Sequence, residues 1–448
     1  MNSKCRLAAP LSFACFLLQC FWAFSGIAQE PLRITLHEAI QKAITANLSG
    51  RLARASVEES EGTRLRRYSA AFLPQINLQT YANVQNRDLR AFGISLPGMP
   101  EVVGPFSNYD LRVYGQQNIV DFASRHAFKA SESALDAERL SERNTRDLIV
   151  RVIAALYLDA ESAAARTEAA RSRVVRANVL YKLAKDKHDA GTATGVDVLR
   201  AQVQEANDKQ ALLIAQNQYK QSLLALQRTI GLTPGQPIEL ADTLRFRDLE
   251  QSQVDTLVNA ALLKRADYLS LSAQRTSLQE QRRANHARSY PKLSLNGNYG
   301  AIGRSIGGVQ ATGLIQGQID FTLYNHDREG EAKEIASHVI SIDARIDDLK
   351  RGIEEDVREA LLSLDSAAQQ VTVADEGKQL AHRELELSQD RFQQGTANNV
   401  EVVTAQDELA RAEENYILAV SSHMNAKYAL AAALGDAEEN IKQFDKNQ

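Results

Sequence analysis

The strongest constraint on this chain is that a long part of it is written twice. Lys187-His-Asp-Ala-Gly-Thr-Ala-Thr-Gly-Val-Asp-Val-Leu-Arg-Ala-Gln202 returns as Arg391-Phe-Gln-Gln-Gly-Thr-Ala-Asn-Asn-Val-Glu-Val-Val-Thr-Ala-Gln406. With Gly191 placed on Gly395, an offset of 204 residues, eight of the sixteen positions from 191 to 206 are identical. An internal duplication governs every later inference about fold. Each copy carries a Gly just past a periodic polar/apolar run, then Thr192 or Thr396 placed to cap the run that follows. That is the punctuation of one helix end and one helix start, so each copy is predicted to be the tip of a helical hairpin.

The flanks set the size of the hairpins. From Ala123 to Asp189 there is neither Pro nor Gly, which allows one helix of 67 residues; at 1.5 Å per residue it would be ~100 Å long. On the returning arm Leu212, Ala215, Tyr219, Leu223, Leu226 and Ile230 recur at three- and four-residue steps, a narrow coiled-coil seam. The second copy runs from Arg328 to Gln394 and back from Asn399 to Leu434, with Gly330, Gly352 and Gly377 as its expected interruptions. Gly231 and Gly435 end the return arms at the same offset.

The start of the chain reads as a secretory signal peptide over 1–28. Lys4 and Arg6 precede an apolar run from Leu7 to Phe24, and Gly26-Ile27-Ala28 forms a small-x-small site. All three cysteines (Cys5, Cys15, Cys20) and Trp22 fall inside this segment, so the mature chain carries no disulfide or thiol chemistry. Gln19 is too bulky to precede a lipid-modified Cys20. Cleavage after Ala28 is therefore expected to leave an unlipidated chain beginning at Gln29; N-terminal sequencing that starts at Cys20, or meets a blocked diacylglyceryl-cysteine, would contradict this. Loss of Lys4 and Arg6 moves the net charge from −4 to −6, with signs mixed throughout, which gives no footprint for nucleic acid.

After the signal, Thr35 stands three residues before Glu38, a capping box that opens a helix expected to reach about Ala70, with an interruption near Ser49-Gly50, before Pro74 stops it. The period then changes to two: Ile76, Leu78, Thr80, Ala82 and Val84 alternate with Gln75, Asn77, Gln79, Tyr81 and Asn83. A Pro/Gly-rich loop containing Leu96 to Pro100 and Gly104-Pro105 is expected next, then a second strand from Leu111 to Ile119. The unit recurs after residue 256: a helix through Leu263 to Tyr268 and on to about Ser289, a stop at Pro291, a strand from Leu293 to Tyr299, a loop from Gly300 to Gly313, and a strand from Leu314 to Phe321. Since those glycines precede a strand, a phosphate-cradling loop is not expected.

No later stretch supplies the ~20 uncharged apolar residues of a membrane helix, so contact with a bilayer falls to the strands. Four isolated strands would leave open edges without partners in lipid. Two chains would give eight strands with a filled interior, whereas three give twelve and room for a channel.

On these residues the chain resembles the TolC family of trimeric outer-membrane export ducts, over essentially all of the mature sequence from Thr35-Leu36 through Leu73-Pro74 and both tip motifs to Ala433-Leu434-Gly435. The fold so implied is mainly α with a membrane β-barrel: repeat 1 over 29–231, an equatorial linker over 232–257, repeat 2 over 258–435 and a polar tail over 436–448. Three chains would form a twelve-stranded barrel in outer-membrane lipid and a helical barrel across the periplasm. The resemblance also implies the partners, a periplasmic adaptor and an inner-membrane transporter of RND or ABC type, and the work, multidrug efflux or type I secretion. Adaptor docking would fall on Lys187, Gly191 and Thr192 in one copy and on Arg391, Gly395 and Thr396 in the other.

The resemblance also places the periplasmic aperture. Its tip-locking Tyr and Arg fall on Phe392 and Ala397, and their Asp partner on Asp197. Phe has no hydroxyl and Ala no guanidinium, so that locking pattern does not carry over. The two entrance-lining acids fall on Glu401 and Thr404, which leaves one carboxylate per chain; three copies of Glu401 around an axis would attract cations.

Catalysis finds no foothold. The eight histidines show no metal-ligand spacing and there is no Gly-x-Ser-x-Gly elbow, so neither an enzyme nor a cofactor or metal is expected. A periplasmic adaptor or purely structural coiled coil would account for the tips and the seams, but not for two equivalent Pro-initiated strand pairs.

Overall fold

A computed structural model describes residues 31–446 except 96, 234, 247 and 249–252; the segment expected to be a signal peptide, 1–28, lies outside the described residues. Each copy consists of two helices, two strands and a long hairpin. The first comprises α1 (Leu36–Ala46), α2 (Leu48–Phe72), β2 (Gln75–Asp88), β3 (Val102–Val120), α3 (Phe122–Asp189) and α4 (Gly195–Thr229). The second comprises α5 (Val254–Lys264), α6 (Ala266–Ala287), β5 (Lys292–Gly303), β6 (Gln310–Asp320), α7 (Asp327–Gln393) and α8 (Asn399–Ala433). Strands β1 (Leu32–Ile34) and β4 (Ile238–Leu240) and helix α9 (Ala437–Lys446) lie outside this repeat.

The long helices follow from the sequence almost residue for residue. α3 spans 68 residues and α7 67. Gly330, Gly352 and Gly377 do not interrupt α7; each stands in open space inside the helix, which carries their entropic cost through its packing.

Shorter helices depart further from expectation. Thr35 does form the capping box with Glu38, but the first break falls at Asn47, whose extended backbone (φ −64°, ψ 135°) ends α1 and whose Oδ1 accepts from Ser49 N at 2.8 Å to start α2. Arg265 plays the same part in the second copy (φ −62°, ψ 120°), where a continuous helix was expected, and its guanidinium is held by Asp267 at 2.7 Å and Asp356 at 2.6 Å. One residue in the β region suffices for such a break, and neither Asn nor Arg announces it. α2 does end before Pro74, with Leu73 extended (φ −104°, ψ 147°) as the residue before proline should be.

The four long strands form one antiparallel sheet in the order β2-β3-β5-β6. They are longer than expected, at 14, 19, 12 and 11 residues. Gly104-Pro105 and Gly300 to Gly303 lie inside strands, and the loops shrink to 89–101 and 304–309. Gly300 belongs in the ladder because a Cβ there would come within 2.1 Å of the Leu111 carbonyl oxygen: the glycine permits close strand approach instead of a turn. The pleat sorts the faces. One cross-strand row reads Gln75, Gln116, Asn296, Gln316, and another on the opposite face reads Leu78, Val113, Tyr299, Gly313. Ile76 and Ile315 stand 71% and 83% exposed on the apolar face. Strands β2 and β6 are the sheet's edges and pair on one side only.

Near the sheet the helices lie in the order α2–α3–α6–α7, and toward the tips as α4–α3–α8–α7. Between the two halves sits the main core, with Ile40, Ile153, Tyr157, Leu226, Ile230 and Tyr428 among its buried members. There β1 pairs in parallel with β4, and the Tyr157 hydroxyl donates to the Ile34 carbonyl at 2.9 Å. The polar tail after Gly435 packs here as well. Ala437 and Ile441 are buried in this core, Asp436 pairs with Arg143, and Arg146 reaches Glu438 at 2.6 Å. Its amphipathic helix was hidden because only two apolar residues need to face inward. Among the described residues no helix is long and apolar enough to cross a membrane.

Candidate functional site

The tips of the two hairpins are built alike. After α3, Gly191 adopts φ +75° and Thr192 N donates to the Lys187 carbonyl at 2.8 Å; after α7, Gly395 adopts φ +75° and Thr396 N donates to the Arg391 carbonyl at 2.9 Å. These glycines take the left-handed conformation that ends a helix. The threonines close the helix behind them and do not cap the one ahead, as had been expected. Thr192 Oγ1 donates to the Lys187 carbonyl at 3.0 Å and Thr396 Oγ1 to the Arg391 carbonyl at 3.1 Å. The caps are Thr194, in a capping box with Asp197, and Asn398, which accepts from Val400 N and Glu401 N. A Gly-centred reversal leaves the next hydroxyl nearer the old helix end than the new helix start.

The structure then ties the tips to one another. Lys187 Nζ donates to the Gln393 carbonyl at 3.1 Å and lies 5.3 Å from the Phe392 ring centre. From the other side Asn399 Nδ2 donates to the Asp197 carbonyl at 2.8 Å, and deeper in the seam Gln204 Nε2 donates to Asp407 Oδ1 at 3.0 Å. Phe392 is buried with Leu180, Ala184, Ala201, Leu385, Val402 and Leu409, in an apolar plug shared by both hairpins. Its lack of a hydroxyl suits that position.

Asp197 and Glu401 are duplicates of one another with divided work. The Asp197 carboxylate accepts from Thr194 N at 3.1 Å and from Thr194 Oγ1 at 2.7 Å. Glu401 Oε2 instead lies 3.1 Å from Arg391 Nη1, with both side chains about half exposed. Glu401 remains the one carboxylate at the two expected aperture positions, and Arg391 lies against it. Thr404 is exposed one turn further along α8 and is not drawn into these contacts.

Sequence reasoning missed Asn399, which is fully buried. The available signal was the mismatch with its duplicate: position 195 is Gly and position 399 is Asn. Each cross-tip hydrogen bond contributes on the order of 1 kcal/mol net, and an exposed ion pair less. These polar ties add to the apolar contact around Phe392. Among the described residues no cluster of His, Cys, Asp and Glu could hold a metal ion.

Against known proteins, residues 39–232 and 257–436 match the family model described as Outer membrane efflux protein. The chain belongs to the outer membrane efflux protein family. Each matched block covers nearly all of one copy. Among characterised relatives, the pyoverdine export outer membrane protein OpmQ of Pseudomonas aeruginosa is 22% identical over 84% of this chain and 79% of its own length. The toluene efflux pump outer membrane protein TtgF of Pseudomonas putida is 23% identical over 75% of this chain and 69% of its own. Among solved structures, the outer membrane protein VceC of Vibrio cholerae superposes with a TM-score of 0.74 at 19% identity, covering 89% of this chain and 96% of that one. The Campylobacter jejuni CmeC outer membrane channel gives 0.74 at 16% identity, over 92% and 89%. This efflux protein therefore has the fold of those channels and its place in the outer membrane, and the family and its relatives are transport proteins rather than enzymes.

Proposed function

We infer that three copies of this efflux protein close into one duct that passes exported solutes passively across the outer membrane. The observation that carries this reading is the four-stranded sheet with β2 and β6 unpaired on their outer sides. Backbone groups left unpaired in lipid cost several kcal/mol each. Joining β6 of one copy to β2 of the next removes every edge, and three copies give twelve strands around a lumen lined by rows such as Gln75, Gln116, Asn296 and Gln316.

The flanks support the same closure. α7 and α4 are the outer helices of the tip half, and they carry the exposed apolar residues Val373, Leu380 and Leu387 on one side and Val196, Leu199 and Val203 on the other. Such rows are covered when one copy's α7 meets the next copy's α4. At the periplasmic end, Lys187, Gly191, Thr192, Arg391, Gly395 and Thr396 would receive an adaptor, which couples the duct to an inner-membrane pump. Relatives named for pyoverdine export and toluene efflux favour small organic cargo, selected by the pump.

Sedimentation of the detergent-solubilised protein, corrected for bound detergent, is expected to give three times the mass of the mature chain. A monomer or dimer mass would remove both the barrel and the duct.

A further inference from the structure

The segment that joins the two copies closes over a histidine with no polar partner. His423 on α8 is fully buried, and neither ring nitrogen has a hydrogen-bond partner. Its cover is the stretch after β4, where Leu244 and Phe246 pack with Val371 and Ala374 of α7 and with Ala419 and Val420 of α8. The Phe246 ring meets the imidazole at 4.8 Å between centres, inclined by 64°. Upstream the same stretch is fastened to the first copy: Ala241 N donates to the Ile34 carbonyl at 3.1 Å, and Asp242 Oδ2 accepts from Leu36 N at 2.8 Å. Residues 241–246 therefore form a strap from the first copy onto the second.

The charged groups around the ring are few. Lys427 stands one turn further along α8 and Asp248 follows on the strap, while α7 presents the apolar Val371 and Ala374. Glu161 of α3 and Arg245 of the strap share with Lys427 the lining of a neighbouring cavity of about 440 Å³. Burial first and Lys427 second push the imidazole below its ordinary value, with Asp248 pulling the other way.

We propose that His423 makes the strap an acid-released clasp: protonation of the buried ring expels Leu244 and Phe246 from the α7–α8 surface, and deprotonation lets them close again. The closed strap excludes the proton, whereas the open strap accepts it at the ordinary imidazole value of about 6.5. Closure is thus at full strength above about pH 6.5 and weakens as the pH falls below it, one proton entering per opening. Release removes one of the ties between the two copies and leaves the sheet and the tips unaltered.

Hydrogen exchange of the intact assembled protein tests this between about pH 5 and about pH 8, with intrinsic exchange rates corrected at each pH. The opening constant of a peptide covering 241–246 is expected to rise about tenfold per pH unit below about 6.5, the slope of a single linked proton. A peptide from the core of α3 over 149–158 should show no such slope, and His423→Leu should abolish it at the strap. If His423→Leu does not assemble, His423→Gln, which equally cannot take up the proton, replaces it. A corrected opening constant that is flat with pH in the wild-type protein, or a slope that survives loss of the imidazole, overturns the proposal.

Discussion

Gly191→Val and Gly395→Val, each alone, are expected to abolish most export while the oligomer and its membrane sheet stay intact. Both glycines sit at φ +75° with nothing within 4 Å of an added Cβ, so the cost comes from the backbone and not from a clash. A side chain forced into that region costs on the order of 1 kcal/mol, and more when branched. That amount is small beside the packing of α3 and α7 but comparable with the bonds that join the tips. The reversal would open by loss of the Thr192 N or Thr396 N bond, and the displaced Lys187 would leave the Gln393 carbonyl. Cellular export, measured against the amount of assembled protein in the outer membrane, provides the check. If both variants export at the wild-type rate, the tips are not where an adaptor docks.

The ion selectivity of the duct should change sign between two single substitutions at one ion pair. Because Glu401 lies against Arg391 at 3.1 Å, a ring of three such pairs in the proposed trimer would be close to neutral, in place of the cation-attracting ring expected from Glu401 alone. Arg391→Gln would bare three carboxylates in a narrow, partly dehydrated opening, where charges interact more strongly than in bulk water. The expected result in planar-bilayer recordings is a severalfold shift toward cations, with stronger block by trivalent cations. Glu401→Gln would bare three guanidinium groups and shift selectivity toward anions. The double substitution should restore the wild-type ratio. Selectivity and trivalent block that stay the same in all three variants would show that the pair lies on a solvated face away from the aperture.

The parts of the fold that were legible in the sequence are those where one physical rule acts over many residues. A run of 67 residues without Gly or Pro could scarcely be anything but a helix, and α3 begins within one residue of the expected start. The alternation after Pro74 assigned strand faces in the same way. Legibility failed where a single residue decides. Asn47 and Arg265 break helices through one extended backbone conformation each, and Gly104 and Gly300 look like loop residues until the neighbouring strand shows why a Cβ cannot fit. At the tips the glycine reversals were legible, whereas the caps, the Lys187–Gln393 tie and the Arg391–Glu401 pair were not. Those depend on which side chains of one hairpin meet which of the other, and a duplication of sequence says nothing about how its two copies touch.

The bare outer sides of β2 and β6 also set how production of this efflux protein translates into working ducts. If copies close into a ring as proposed, an incomplete ring has two unsatisfied strand edges, and a single copy would not settle in the bilayer while it waits for others. In the proposed ring, copies would have to meet before or during insertion, and where unassembled chains are degraded the yield of ducts would rise more steeply than the supply of chains. Under that condition halving synthesis would cost the cell more than half of its outlets, and a co-expressed chain that joins β6 but offers no competent β2 edge would disable whole rings. Even a modest change in expression would therefore act on export as a steep dial.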